Sequence, residues 1–167
     1  MKYILDTNSF ITPHRGGYNP LDVAVSFWNK IQELSDTSVI RSIDKVKAEL
    51  FIHDDELKQW VNNTLPRDFF ERFESDATMA KFREVSTWAQ SHRTYNNTAK
   101  RKFLDPTKAD IYLVAYSAAH PEDYTIVSFE KPNPHNVGEI KLPDACDAFG
   151  VRCIMMADMF RDLGQTY

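Results

Sequence analysis

Short β-branched and aliphatic runs that each stop at a polar residue, separated by longer stretches of helical periodicity, constrain this chain most. Lys2-Tyr3-Ile4-Leu5 ends at Asp6, and Thr125-Ile126-Val127-Ser128-Phe129 ends at Glu130. Ser38-Val39-Ile40 and Val151-Arg152-Cys153-Ile154 are two further strand candidates. Runs this short and this apolar suit strands buried on both faces. Strands alternating with helices predict an α/β fold with three layers, a mainly parallel central sheet flanked by helices. In such a sheet ligands sit outside the carboxyl ends of the strands, so the residues just after each strand matter most.

The intervening segments set the expected helices. Asp22 is placed to cap a helix carrying Val25, Trp28, Ile31 and Leu34. Ser42 is expected to start another with Ile43, Val46 and Leu50, interrupted near His53-Asp54-Asp55 and continued by Leu57, Trp60 and Val61. Residues 67–92 read as mostly helical, with Phe69, Phe70, Phe73, Phe82, Val85, Trp88 and Ala89 inward. Asp105-Pro106 suits the start of a helix running to about Ala119. Residues 143–149 and 157–163 are the last two helix candidates, and residues 14–20, with Gly16, Gly17 and Pro20, read as a loop. The remaining glycines are scattered and no linker divides the chain, so residues 1–167 read as a single domain.

Hydrophobic residues at 43% can fill a core, which argues against disorder. With 20 Lys and Arg against 24 Asp and Glu, the net charge of −4 excludes a wholly basic nucleic-acid coat but not a local basic patch. Two cysteines, Cys146 and Cys153, are too few for a disulfide framework or a closed zinc site and fit a reducing, cytoplasmic setting. No stretch reaches the roughly 18 apolar residues of a membrane span, and Asp6 interrupts any signal-peptide core.

Two acids lie at strand ends, Asp6 and Glu130. Two more are placed by helical geometry. At about 100° per residue, Glu49 stands about 60° from Val46, at the border of its apolar stripe. Asp110 lies within about 40° of Val114 and about 20° of Ser117, in the middle of the apolar face of its own helix. An inward charge is costly unless something pairs with it. A hard divalent cation would do so, because Mg²⁺ and its like take oxygen ligands and bind through a few carboxylates, water and substrate phosphate. Each acid also has a plainer role open to it. Thr107 with Asp110 fits a capping box, Asp6 with Asn8 a tight turn, Glu49 a solvated border position, and Glu130 a pair with Lys131.

These residues resemble a known family. Leu5-Asp6-Thr7-Asn8, Ser42 followed by Glu49-Leu50, Ala109-Asp110, and Ile126-Val127-Ser128-Phe129-Glu130 are similar to the PIN domain, a family of metal-dependent ribonucleases that includes the toxins of the VapBC toxin–antitoxin systems. The stretches 140–146 and 148–154 resemble a PIN-like branch catalogued as a domain of unknown function. The resemblance implies a PIN-like fold in which Asp6, Glu49 and Asp110 hold Mg²⁺ or Mn²⁺, with Glu130 assisting and Asn8 and Ser128 supporting the site. It also implies hydrolysis of RNA to 5′-phosphate and 3′-hydroxyl ends, with a cognate antitoxin as partner, while Phe69, Phe70 and Phe73, where not core, offer a face for a partner or a homodimer mate. Glu130 and Ser128 depart from the family's usual Asp and Thr. That departure keeps a second reading open, a PIN-like scaffold that binds RNA or a protein without cleaving. A phosphatase of the haloacid-dehalogenase type also opens with a strand and an Asp, but it expects a second Asp where Asn8 stands.

Residues 91–108 add a basic segment, Arg93, Lys100, Arg101, Lys102 and Lys108 against the single acid Asp105. Cations hold phosphates and aromatics stack bases, so Arg93, Lys100, Arg101 and Lys102 are the candidate RNA contacts. A merely solvated loop is the alternative.

Overall fold

A computed structural model describes residues 1–16 and 21–167. Among these, five strands form one sheet: β1 (Lys2–Leu5), β2 (Ile40–Ile43), β3 (Phe70–Glu71), β4 (Tyr124–Ser128) and β5 (Cys153–Met155). Their order is β3-β2-β1-β4-β5, and every pairing is parallel. β1 lies at the centre, with Tyr3 opposite Ile40 on one side and Thr125 on the other. Ile4, Leu5, Ile126 and Val127 are completely buried, as expected of central parallel strands covered on both faces.

The helices among the described residues are α1 (Asn8–Arg15), α2 (Val25–Asp36), α3 (Asp44–Leu50), α4 (Glu56–Thr64), α5 (Asp76–Ser91), α6 (Asn97–Phe103), α7 (Asp110–Ala119), α8 (Leu142–Ala148) and α9 (Met156–Asp162). Ring contacts and packing sort several of them into two layers. Rings join α2 to α4 (Trp28 and Trp60, centroids 4.9 Å apart) and α2 to α9 (Phe27 and Phe160, 6.4 Å). In the other layer α5 stacks on α7 through Phe82 and Tyr112 at 5.0 Å, and α7 packs on α8. The expected three-layer α/β architecture with a parallel sheet is therefore the observed one. None of these helices is long and apolar enough to cross a membrane.

Several expected boundaries move, each for a local reason. No helix was expected at residues 8–15. Pro13 lies inside α1, where burial of Phe10 and Pro13 outweighs the missing N–H. His14 and Arg15 thus belong to a helix, and residues 17–20 of the expected loop lie outside the described residues. Asp22 does not cap α2, which starts at Val25 with no side-chain cap. Ser42 does not start a helix. It is a buried β2 residue whose hydroxyl donates to Leu5 O at 2.6 Å. α3 starts two residues later, at Asp44.

The stretch 67–92 is only partly helical. Phe70 and Glu71 form the edge strand opposite Ser42 and Ile43. The hydroxyls of Tyr124, at 2.7 Å, and Tyr116 both donate to Glu71 and anchor this two-residue strand. α5 then begins behind a Ser75–Thr78 capping box. The basic segment is no open loop, because Asn96 accepts from Ala99 N at 2.9 Å and starts α6. Asp105-Pro106 likewise starts no helix. Asp105 accepts from the amide (2.9 Å) and hydroxyl (2.7 Å) of Thr107 and closes a turn. Thr107 is thereby unavailable as a cap, and α7 opens at Asp110 without one.

β1 continues to β2 on one side, while β4 continues to β5 on the other. The carboxyl ends of β1 and β4 thus flank the crevice where strand order reverses, the usual ligand position in open parallel sheets.

Candidate functional site

Asp6 leaves the end of β1 and is 1% exposed. Its Oδ1 accepts from Ser9 N at 2.8 Å and Ser9 Oγ at 2.9 Å, and its Oδ2 accepts from Ser128 Oγ at 2.7 Å. Burial raises its pKa to about 7, although the bonds from Ser128 and Ser9 pull it down; the charge of Glu130 adds to the rise. Ser128 has two roles, because its oxygen also accepts from Glu130 N at 3.0 Å. One hydroxyl at the end of β4 thus ties the acid after β1 to the backbone of the acid after β4.

Glu49 projects from α3, half-buried as its border position predicts. Its Oε2 accepts from Ala109 N at 2.7 Å and Thr7 Oγ1 at 3.2 Å, and Lys108 Nζ lies 3.7 Å from Oε1. Glu130 is held by Asn8 Nδ2 at 3.2 Å and Leu142 N at 3.1 Å. Asp110, the first residue of α7, differs from these three. No donor among the described residues reaches its carboxylate. Burial pushes its pKa well above the usual carboxylate range, and the charges of Glu130, Asp6 and Glu49 push it further, with Lys108 opposing. The capping role does not apply, so no hydrogen bond compensates this inward acid.

The four acids are therefore neighbours. Glu49, Asp110 and Glu130 line a cavity of about 370 Å³ together with Thr7, Asn8, Lys102 and Lys108, and Asp6 lies outside its lining. Their all-oxygen donors match a hard cation in kind. They are not closed around one. Among the described residues, no three His, Cys, Asp or Glu side chains stand as a ready-made ligand group.

The basic residues separate. Lys102 reaches the acid cavity. Lys100 and Arg101 line an adjoining groove of about 750 Å³ that shares Asp105 with it, and Lys100 Nζ donates to Gln90 O at 2.9 Å. Arg93 is exposed and lines neither. Sequence reasoning missed Thr7, Ser9 and Lys108 as site residues. Ser9, three residues after Asp6, had a legible signal, since that spacing lets an acid accept from a turn N–H. The donors Ala109 N and Leu142 N carry no signal in side-chain identity.

No curated protein and no solved structure matches the chain. One family model does, over residues 3–167: the chain belongs to the family described as Domain of unknown function (DUF4411).

Proposed function

We propose that this protein is a divalent-metal-dependent endoribonuclease of PIN-like type, acting at the cavity between the ends of β1 and β4. Asp110 carries the reading: a half-buried carboxylate without a donor, facing three other acids, is an arrangement that costs stability until a cation enters. Mg²⁺ or Mn²⁺ bound there would neutralise charge on the scissile phosphate and lower the pKa of the attacking water. Asp110, Glu49 and Asp6 would hold it, with Glu130 assisting. Asn8 and Ser128 orient Glu130 and Asp6, and Lys102 and Lys108 meet the phosphate backbone. An antitoxin partner rests on the family resemblance and a cytoplasmic setting on the free thiols; the phenylalanine face considered for a homodimer is mostly core, with Phe69 and Phe73 buried.

A non-cleaving scaffold is the second reading. It is favoured by the donors that already occupy Glu49 and Glu130. Cleavage of a mixed RNA with Mn²⁺, with EDTA, and by Asp6→Asn and Asp110→Asn proteins separates the two. The nuclease reading expects metal-dependent products with 5′-phosphates, reduced on the order of a hundredfold or more in both variants. No cutting and no Mn²⁺ binding by the wild type gives the site to the scaffold.

Two further expectations refine the site. Ser128→Ala removes a donor that holds Asp6 ionised, so activity should fall about 10- to 100-fold. The acid limb of its pH–rate profile should also move to higher pH; an unmoved limb would separate Ser128 from Asp6 function. Lys102→Ala should weaken RNA binding and lower the slope of log affinity against log salt by about 0.7, the single-strand value for one lost phosphate contact. Arg93→Ala should leave that slope unchanged. Equal slopes for both variants would remove Lys102 from the RNA path.

A further inference from the structure

A second cavity, of about 590 Å³, lies between the end of α5 and the outer side of α8. One wall is aromatic. Trp88 is fixed edge-on by His92 (5.4 Å), Tyr95 (6.2 Å), Phe103 (6.2 Å) and Phe149 (5.7 Å). His92 and Tyr95 lean together at 4.5 Å. The same lining carries two carboxylates of α8, Asp144 and Asp147. Asp144 Oδ2 accepts from Asn133 N at 2.9 Å, which leaves its other oxygen open. Among the described residues neither acid has a basic partner within ion-pair distance, and the lining holds no Lys or Arg.

Aromatic rings beside carboxylates that no Lys or Arg of the lining pairs, with His92 the one basic side chain there, form a receptor for a cation. A planar guanidinium can use both kinds of group, stacking on a ring while its N–H fork meets carboxylate; an ammonium uses them less completely. Phosphate is repelled, so this is no nucleic-acid surface. We infer that the notch between α5 and α8 is a docking site for an arginine side chain presented by a partner protein. The inference stands apart from the nuclease reading, since none of the four acids of the metal site takes part.

The test is an NMR titration of the ¹⁵N-labelled full chain with Nα-acetyl-arginine methylamide, read at the indole N–H of Trp88. A saturable shift is expected, about threefold or more weaker with the lysine analogue and absent with the neutral citrulline analogue. The Asp144→Asn/Asp147→Asn double variant should bind about tenfold more weakly. Unchanged Trp28 and Trp60 indole signals show that it remains folded. A shift of equal size with citrulline or in the double variant overturns the inference, as does no saturable shift at about 50 mM arginine probe, where even millimolar affinity would register. Tighter binding of spermine than of the arginine probe gives the notch to polyamines instead. Sedimentation showing a dimer that Asp147→Lys dissociates gives it to a second copy of this chain.

Discussion

Asp110→Asn should make the metal-free protein more stable while abolishing cleavage. Asp110 accepts no hydrogen bond from any described residue, so asparagine forfeits none, and it removes a carboxyl group whose ionisation burial and three neighbouring acids make costly. The gain at neutral pH should be about 1–3 kcal/mol, the scale of one unsatisfied buried group. That corresponds to a few degrees in Tm for a chain of this length. The sign of the pH dependence follows from the raised native pKa. Native Asp110 keeps its proton at pH values where the unfolded chain, titrating near 3.9, has lost it. Wild-type stability is then fully present below about pH 4 and declines as pH rises toward the native value. Asp6 behaves alike. With a native pKa of about 7, its share amounts to at most about 4 kcal/mol, lost between about pH 4 and 7. The advantage of Asp110→Asn should therefore vanish near pH 4 and grow toward pH 8. Mn²⁺ in large excess over its Kd should restore about 2–3 kcal/mol to the wild type and nothing to the variant. Thermal melts of both proteins at several pH values, with and without Mn²⁺, check all of this. A variant melting below the wild type in EDTA at pH 8 would sink the account.

Phe10→Ala should be the most damaging single change to the fold near the site. Phe10 is completely buried on α1 and meets Phe69 edge-on at 6.2 Å. Truncation of such a phenylalanine costs about 3–5 kcal/mol, which lowers Tm by roughly 10 °C in a domain of this size. α1 also carries Ser9, whose amide and hydroxyl hold Asp6. Metal affinity should fall with stability, although Phe10 touches neither metal nor substrate. Phe10→Leu, which keeps most of the volume, should recover the larger part of both. A Tm drop under about 3 °C for the alanine variant would show that α1 repacks freely.

Strand ends and helical period singled out the four acids one by one, and the resemblance to the PIN domain joined them into one set. Asp6 and Glu130 end apolar runs. The inward placement of Asp110 and the border placement of Glu49 follow from counting around a helix. What escaped was set by contacts distant in sequence. β3 is two residues long and exists because Ser42 and Ile43 offer it an edge and Tyr116 and Tyr124 hold Glu71. α1 contains a proline that local propensity reads as a break, and tertiary burial overrides that penalty. At Thr107 two local motifs competed for one hydroxyl, and the turn with Asp105 won. The network around the acids was the least legible part, since Ala109 N and Leu142 N are backbone groups that any residue but proline supplies.

The central pairing of β1 with β4 also sets an order of events. Asp6 and Ser128 touch although they stand 122 positions apart, and contacts of such span cost more loop-closure entropy than local ones. A nascent chain that has not yet delivered β4 leaves Asp6 without Ser128 and Glu130, so the concentration of negative charge does not yet exist. A site built across that pairing is complete only once β4 has joined the sheet.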